Sequence, residues 1–315
     1  MDLLFMKPVF KDYLWGGNRL KNELNKNSTF SITAESWEIS SNKNGDCKIN
    51  NTEYKGMTLS ELFNKKETRK EIFGTKCVDK DEFPLLIKYI DANQNLSIQV
   101  HPNDEYANKM GLSGKNELWY IMDCEENSQI IAGLNKIVSK DELKDIIENN
   151  KIKEYIRYAD VKKGDSIYIP AGTVHAILGG ILICEIQQNS DVTFRVYDWD
   201  RRDKNGNYRE LHKKQAIETI NSKLIPEIIH KNQDEIQILS NNDFFGVKKI
   251  ETNNTFKYRS NLDTCYLINI VDGNGSIKTT NKKYEIKKGD SFLIPASLGE
   301  YEFEGKMTIL ETFCK

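Results

Sequence analysis

An internal repeat places the strongest limit on the fold of this chain. Residues 161–171 (VKKGDSIYIPA) recur as residues 286–296 (IKKGDSFLIPA), at an offset of 125. Each copy has a Gly-Asp pair suited to a turn, an apolar run suited to a buried strand, and a proline that ends the strand. At this offset His175 falls on Glu300. The shared residues therefore predict two related β modules, and the lost histidine predicts that only the first carries a site.

Short strand-like runs dominate the rest of the sequence. They are rich in β-branched and aromatic residues and are separated by Gly, Asn, Asp or Lys turns. The clearest of them span residues 85–90, 96–100, 119–122, 166–169, 181–186, 192–196, 264–271 and 291–294. Such a series is typical of a β-sandwich or barrel. We therefore predict a mainly β fold.

Three stretches predict helices instead. Two begin with capping boxes, TLSE at residues 58–61 and SKDE at residues 139–142. The third, residues 211–223, places Ala216, Ile217 and Ile220 on one face. We interpret all three as elements that pack on and cover the β modules. A polar stretch at residues 229–234 places the module boundary near residue 232, which gives modules of residues 1–232 and 233–315.

The composition is that of an ordinary globular protein and argues against several partners. The formal net charge is −2, which gives no support for nucleic acid or an anionic membrane as a partner. No apolar run approaches the ~18 residues of a membrane span. The six cysteines are scattered without a CxxC pair, which fits reduced thiols in a cytoplasm.

Two histidines lie in polar patterns suited to a metal. Gln99 and His101 are two residues apart, so on a strand their side chains project to the same face. Glu117 and His175 would reach them from other strands. Imidazole nitrogens suit zinc, and the absence of cysteine from the set favours a catalytic or exchangeable metal over a structural one.

Several motifs carry a resemblance to a known family. Gly164, Pro170, Gly172 and His175 fill the pattern Gly-x5-Pro-x-Gly-x2-His, which resembles the second motif of the cupin superfamily. The segment LSIQVHP at residues 96–102 is similar to type I phosphomannose isomerases. The same family is matched by FPLLIK (83–88), GKNE (114–117), TFRVYD (193–198), YLWGG (13–17) and AESWE (34–38). The resemblance covers residues 5–230 strongly and the C-terminal module weakly, and the length suits the short bacterial branch.

The resemblance implies a fold of two cupin-type jelly rolls and an aldose–ketose isomerase. The reaction would interconvert mannose 6-phosphate and fructose 6-phosphate through a cis-enediol. One zinc ion would be held by four ligands, namely Gln99, His101, Glu117 and His175. The implied catalytic residues are Arg195, Lys88 and Lys115, and the implied substrate contacts are Ser97, Lys88 and Arg195.

One position departs from the family pattern. Enterobacterial members have a histidine before the lysine that matches Lys115, where this chain has Gly114. That histidine cannot be the general base here, and Lys115, Lys88, Glu117 and a zinc-bound water all stay open for that role.

Some of these residues also have simpler interpretations. Glycine and asparagine flank Lys115, which indicates an exposed turn. Trp15 and Trp37 are interpreted as core aromatics. His212 and His230 are interpreted as surface residues.

Two other functions compete with the isomerase. A bicupin dioxygenase or decarboxylase would use a His-x-His pair, but this chain has Gln99-x-His101. A non-catalytic sugar-binding cupin would have no need of Arg195 as an enediolate stabiliser. We expect a sugar phosphate as the ligand, no nucleic acid or membrane partner, and a monomer or homodimer.

Overall fold

The computed structural model describes residues 1–203 and 205–315, and antiparallel sheets are its main regular structure. The strands up to the predicted boundary are β1 (Leu4–Lys7), β2 (Val9–Lys11), β3 (Glu35–Ile39), β4 (Lys48–Ile49), β5 (Leu85–Ala92), β6 (Ile98–Val100), β7 (Glu117–Cys124), β8 (Gln129–Leu134), β9 (Ile156–Asp160), β10 (Ser166–Ile169), β11 (His175–Ile177), β12 (Ile181–Gln188), β13 (Phe194–Tyr197) and β14 (Ile228–Ile229). Beyond it lie β15 (Ile236–Asn241), β16 (Phe245–Thr252), β17 (Thr255–Arg259), β18 (Tyr266–Thr279), β19 (Lys283–Lys287), β20 (Ser291–Ile294) and β21 (Glu300–Cys314).

The helices are short and cover the sheets. They are α1 (Arg19–Asn22), α2 (Leu59–Phe63), α3 (Lys66–Phe73), α4 (Asp104–Asn108), α5 (Lys140–Glu148) and α6 (Lys213–Thr219), with 3-10 turns at Thr75–Cys77 and Ile152–Glu154. Both predicted capping boxes form at the starts of α2 and α5. Within the described residues, no helix is long and apolar enough to cross a membrane.

The first module is a sandwich of two sheets. The seven-stranded sheet has the order β14-β10-β7-β12-β5-β3-β2, and the five-stranded sheet has the order β13-β6-β11-β8-β9. Side chains such as Trp119 and Ile183 from the larger sheet pack against Ile130 and Ile177 from the smaller one. Helices α5 and α6 cover the outer face of the smaller sheet.

The second module contains the nine-stranded sheet, whose main path runs β15-β16-β21-β18-β20-β1-β4. Strands β1 and β4 come from the N-terminal part of the chain, so that segment completes the sheet of the C-terminal module. One face of this sheet packs against the seven-stranded sheet, on the face that points away from the five-stranded sheet. Together with α2 and α3, these two faces form one shared core.

The two modules share a strand order. In the first, β5, β12, β7 and β10 are neighbours in that order, and β6, β11, β8 and β9 form the second row. In the second, β16, β21, β18 and β20 follow the first order. Strands β18 and β21 are long enough to continue into the part of the second module that corresponds to the five-stranded sheet. There β18 pairs with β19, and β21 pairs with β17. The repeat predicted from the sequence is therefore a repeat of structure.

The Gly-Asp pair of each copy forms the same turn. Gly164 and Gly289 both have φ +94°, a conformation that a residue with a Cβ rarely adopts. In each copy the Asp carboxylate accepts a hydrogen bond of 2.9 Å from the backbone N–H three residues earlier. The interpretation of the shared residues as scaffold is confirmed.

The offset of 125 fails beyond the proline. Glu300 is 78% exposed and lies beside Arg259, so it does not occupy the place of His175. His175 lies opposite Gln99 of β6, and in the second module Tyr301 lies opposite Tyr258 of β17. The second copy has one more residue after its proline, which moves the equivalent position from Glu300 to Tyr301.

The third predicted helix is shorter than expected. Residues 211–223 were predicted, but α6 ends at Thr219, and Ile220 is extended with ψ 129°. The N–H of Asn221 donates instead to the carbonyl of Gly172, at 2.9 Å. This tertiary hydrogen bond replaces the next helical one and ends the helix.

Candidate metal centre and active-site cavity

Three of the four predicted ligands form a buried cluster. His101 follows β6, Glu117 begins β7 and His175 begins β11. One ligand atom from each lies within 4.8 Å of the other two, and all three residues are buried. Strand pairing brings them together, since Glu117 lies opposite Ile169 of β10, the strand that precedes the turn to His175.

Gln99 stands beside this cluster. It pairs with His175 on one side and with Arg195 on the other, so the three residues share one face of the smaller sheet. Its side-chain Nε2 lies 3.4 Å from His175 Nε2, and Ser97 Oγ lies 3.4 Å from its Oε1. A half turn of the amide, which exchanges its oxygen and nitrogen, would point the oxygen at the cluster.

The protonation of the cluster suits a cation. His175 donates from Nδ1 to the carbonyl of Thr173 at 2.8 Å, which leaves the lone pair of Nε2 facing Glu117 Oε1 at 3.4 Å. Burial lowers the pKa of His175, and burial together with Lys115 lowers the pKa of His101 to about 3. Although burial opposes it, Lys115 and His101 hold the pKa of Glu117 well below its usual range. Two neutral imidazoles and a carboxylate are a donor set that zinc binds.

Lys115 is buried, and the expectation of an exposed turn is wrong. Its Nζ lies 2.8 Å from Glu117 Oε2 and 3.1 Å from His101 Nε2. Its backbone N–H donates to the carbonyl of Pro102, and the N–H of Gly114 donates to the carboxylate of Asp104. These hydrogen bonds draw the glycine-containing segment inward.

A cavity of about 570 Å³ adjoins the cluster and is lined from both sheets of the first module. The predicted residues Lys88, Ser97, Gln99, Lys115 and Arg195 all line it. Further lining residues are Lys11, Tyr13, Trp15, Glu35, Trp37, Asn44, Ile90, Leu96, Ile177, Glu185, Asp191, Thr193 and Arg209. Trp15 and Trp37 are buried, as expected of core aromatics, and they also form part of the cavity wall.

Glu185 is a cavity residue that the sequence did not reveal. Its Oε1 lies 3.2 Å from Lys88 Nζ and 3.7 Å from Lys115 Nζ, and its Oε2 accepts a hydrogen bond from Trp119. Burial raises its pKa. Lys88 lies next to it on β5, 3.8 Å from Glu35. Burial opposes the charge of Lys88, but Glu35 and Glu185 raise its pKa. A glutamate within an otherwise apolar strand was the available signal.

Arg195 reaches the cavity from β13. Its Nη1 donates to the carbonyl of Glu210 at 2.8 Å, and its Nε has no hydrogen-bond partner among the residues that the structure describes. Burial, and next the charge of Arg209, lower its pKa. The side chain lines the cavity, and the bond from Nη1 to Glu210 fixes the position of its guanidinium there.

The two remaining histidines differ. His212 is half-buried. Its ring Nδ1 accepts a hydrogen bond of 3.1 Å from the backbone N–H of Arg195. Its backbone N–H donates to the carbonyl of Arg195 at 2.8 Å. Its interpretation as a plain surface residue is wrong, since it fixes the backbone that carries Arg195. His230 is 74% exposed, as expected, with Nδ1 at 3.1 Å from Asp165.

Arg209 is a second residue that sequence reasoning missed. It lines the cavity from the loop after β13. The carboxylate of Asp198 accepts bonds from its Nε, at 2.7 Å, and from its Nη2, at 2.5 Å. Nothing in the sequence indicates this, because Asp198 and Arg209 meet only when the loop folds back.

Comparisons with known proteins agree with this geometry. Residues 3–135 match the catalytic domain of type I phosphomannose isomerase, and residues 235–314 match the cupin domain of mannose-6-phosphate isomerase. The mannose-6-phosphate isomerase ManA of Bacillus subtilis is 42% identical over 309 residues, which cover 96% of each chain. The mannose-6-phosphate isomerase of Streptococcus mutans is 35% identical over 98% of this chain and 96% of its own.

Solved structures of the same kind share the fold. The mannose 6-phosphate isomerase of Bacillus subtilis superposes with a TM-score of 0.90 at 36% identity, over 99% of both chains. A zinc-bound mannose 6-phosphate isomerase superposes over all of both chains with a TM-score of 0.80 at 14% identity, which shows a common fold. On the sequence identity and the matched domains, the chain belongs to the type I phosphomannose isomerase family.

Proposed function

We propose that this chain is a zinc-dependent isomerase that interconverts mannose 6-phosphate and fructose 6-phosphate through a cis-enediol. The observation that carries the proposal is the buried His101–Glu117–His175 cluster beside a cavity that Lys88 and Arg195 line. The dioxygenase and sugar-binding alternatives are not favoured, since the relatives that match over nearly the whole chain are mannose-6-phosphate isomerases.

We assign the zinc to Gln99, His101, Glu117 and His175. Three of them supply the buried donor atoms, and Gln99 would join them through its amide oxygen. When bound, zinc would supply a Lewis acid that polarises an oxygen of the sugar. Lys115, 2.8 Å from Glu117, holds that carboxylate ionised and in place.

The cationic residues of the cavity have separate roles. The reaction removes a proton next to a carbonyl, so negative charge develops on oxygen, and a fixed guanidinium stabilises it. We assign this role to Arg195. Because its pKa is raised, Lys88 stays protonated and is a donor rather than a base. We assign Lys88 and Ser97, with Arg195, to contacts with the sugar phosphate.

We also propose where and in what form the protein works. Residues 1–232 would form the catalytic domain, and residues 233–315 a domain without a metal site that packs against it. The cytoplasm suits the six cysteines, which are all unpaired in the structure. The net charge of −2 supports a small-molecule substrate and no nucleic acid or membrane partner. A monomer or homodimer is expected.

The test is a coupled assay that follows fructose 6-phosphate formed from mannose 6-phosphate. The zinc-loaded chain should turn over this substrate and should not act on unphosphorylated mannose at the same concentration. No turnover of mannose 6-phosphate by the folded, zinc-loaded chain would refute the proposal.

A further inference from the structure

The lysines deep in the active-site cavity are already balanced by carboxylates. Lys88 lies 3.8 Å from Glu35 and 3.2 Å from Glu185. Lys115 lies 2.8 Å from Glu117. A lysine paired in this way adds little net charge with which to attract a phosphate dianion. The positive charge that an anionic substrate needs therefore has to come from other residues of the cavity.

An excess of guanidinium groups lies around Asp198. Its buried carboxylate accepts hydrogen bonds from Arg209, at 2.7 and 2.5 Å, and from Arg201 at 2.9 Å. Burial, and next the charge of Arg209, lower the pKa of Arg195, so this third guanidinium lies close enough to be repelled. The carboxylate of Glu210 opposes this effect, but it is exposed and screened by water. One buried carboxylate thus serves three arginines, and the group keeps a net positive charge.

Arg209 is the member of this group with room for a further acceptor. It lines the cavity and its side chain is 30% exposed, so a solute in the cavity can reach it. Its Nε and Nη2 donate to Asp198, and no residue that the structure describes accepts a hydrogen bond from its Nη1. Arg201 instead donates to the carbonyl of Asn95 at 2.8 Å. Because Asp198 already fixes the guanidinium of Arg209, little side-chain freedom is lost when an anion binds to it.

Strand register anchors Arg209 at the end of the cavity away from the metal centre. Arg195 of β13 lies opposite Gln99 of β6, and the two strands are antiparallel, so β13 then runs away from His101. Asp198 comes three residues after Arg195, or about 10 Å along an extended strand. Arg209 is bound to Asp198 at that end. In a hexose 6-phosphate, C1 and C2 likewise lie at the opposite end from the phosphate.

We propose that Arg209, held in place by Asp198, binds the phosphate group of the substrate and so sets the preference of the cavity for phosphorylated sugars. This inference rests on the proposed function. A guanidinium presents its donors in a planar fork that suits phosphate oxygens, and a dianion balances the excess positive charge of the arginines. With the phosphate at Arg209, C1 and C2 lie toward Gln99 and Arg195, which are assigned to the metal and to the enediolate.

The test is a calorimetric titration of the full, zinc-loaded chain with mannitol 6-phosphate. This probe keeps the phosphate but has no carbonyl, so it binds without being isomerised. Arg209→Ala should weaken its binding at least tenfold, as expected for the loss of a hydrogen bond to a charged group. The same variant should raise KM for mannose 6-phosphate and leave kcat within about threefold, because the lost contact is equal in the ground state and the transition state. Arg259→Ala, at a 77% exposed arginine of the second module, should match the wild type in both measurements.

Two further variants keep the result decisive. Arg209→Lys retains a cation beside Asp198, so it tests the role even if Arg209→Ala fails to fold, and its affinity for the probe should lie below that of the wild type. Lys11 also lines the cavity but already donates to the carbonyl of Asn44, so Lys11→Ala should weaken binding less than Arg209→Ala does.

The outcomes separate this inference from the proposed function. A chain that binds the probe through Arg209 but does not isomerise mannose 6-phosphate would refute the proposed function alone. Wild-type probe affinity in a folded Arg209→Ala or Arg209→Lys, a larger loss in Lys11→Ala, or no binding of the probe to the wild type would each overturn the assignment of Arg209.

Discussion

Arg195 and Lys88 enter the cavity from different sheets and differ in what surrounds them. Arg195 lies on β13 of the smaller sheet, with its Nε free of hydrogen bonds in the described structure. Lys88 lies on β5 of the larger sheet between two carboxylates, those of Glu35 and Glu185. In the proposed mechanism Arg195 would respond to charge that develops on the substrate, while the charge of Lys88 is already balanced by Glu35 and Glu185.

Arg195→Ala should lower kcat far more than it raises KM. The guanidinium contact strengthens as the enediolate forms, so its loss should cost about 3 kcal/mol, on the order of a hundredfold in rate. Steady-state kinetics measure this, and zinc content should not change because arginine is not a ligand. Arg202→Ala, on the neighbouring loop and outside the cavity lining, is the control. A kcat within about threefold of wild type, under 1 kcal/mol, would remove Arg195 from the catalytic residues.

Lys88→Ala should raise KM for mannose 6-phosphate more than it lowers kcat. It should also destabilise the fold, because Glu35 then loses its lysine and Glu185 keeps only Lys115, at 3.7 Å. Loss of one partner of a buried ion pair typically costs about 3–5 kcal/mol. Urea unfolding measures the second effect. Lys144→Ala, at a 60% exposed lysine of α5, is the control. A variant with unchanged KM and an unchanged urea midpoint would contradict both assignments.

At the residue scale, a side chain could be assigned to the site from the sequence only where it lies in a recognisable local motif. The ligands were predicted because two histidines in a chain with four lie in polar motifs that strand geometry can align. The burial of Lys115 could not be predicted. Its contact with Glu117 and the hydrogen bond from Gly114 to Asp104 form only when separate parts of the chain pack together. Arg209 was missed for the same reason, because Asp198 positions it through a loop.

At the scale of elements, the centres of the strands were predictable and their ends were not. Short apolar runs between a Gly-Asp turn and a proline predicted residues 166–169 and 291–294 as strands with their observed limits. Strand β18 was predicted as residues 264–271 but continues to Thr279, because it bends through a bulge between Ile270 and Asp272 and pairs with β21 throughout. The shift from Glu300 to Tyr301 was equally hidden, since it depends on one additional loop residue.

Thr58→Ala tests the capping box of α2. Thr58 accepts the N–H of Glu61, and Glu61 accepts the N–H of Thr58 at 2.8 Å. Losing the cap should lower the free energy of unfolding by about 1 kcal/mol. Chemical denaturation measures it, with Ser31→Ala, at an exposed serine outside the helices, as the control. Equal midpoints for the two variants would show that α2 is held by its buried face alone.

At the scale of the whole molecule, the two modules are joined through the N-terminal segment. Strand β1 pairs with β20 of the second module, and Leu4 lies opposite Leu293. Leu4 is fully buried in the core that the two larger sheets share. The predicted boundary near residue 232 falls between β14 and β15. The place of β1 in the later sheet could not be predicted, because strand pairing over such a separation leaves no local pattern in the sequence.

Leu4→Ala should destabilise both modules together. Removing a fully buried leucine side chain typically costs about 2–5 kcal/mol. Differential scanning calorimetry should show one transition, shifted to lower temperature, because the core is common to both sheets. Ile137→Ala, at a 64% exposed isoleucine, should leave the transition in place. Two separate transitions, with only one shifted, would show that the modules unfold independently.

The most direct test of the central claim is a zinc titration of the metal-free chain, followed by the rate of fructose 6-phosphate formation. The metal-free chain should be inactive, and the rate should rise to a plateau at about one zinc per chain, as expected for a single catalytic site. His175→Ala should bind zinc much more weakly, while His230→Ala, at an exposed histidine, should match the wild type. Full activity in the metal-free chain, or wild-type zinc affinity in His175→Ala, would contradict the account.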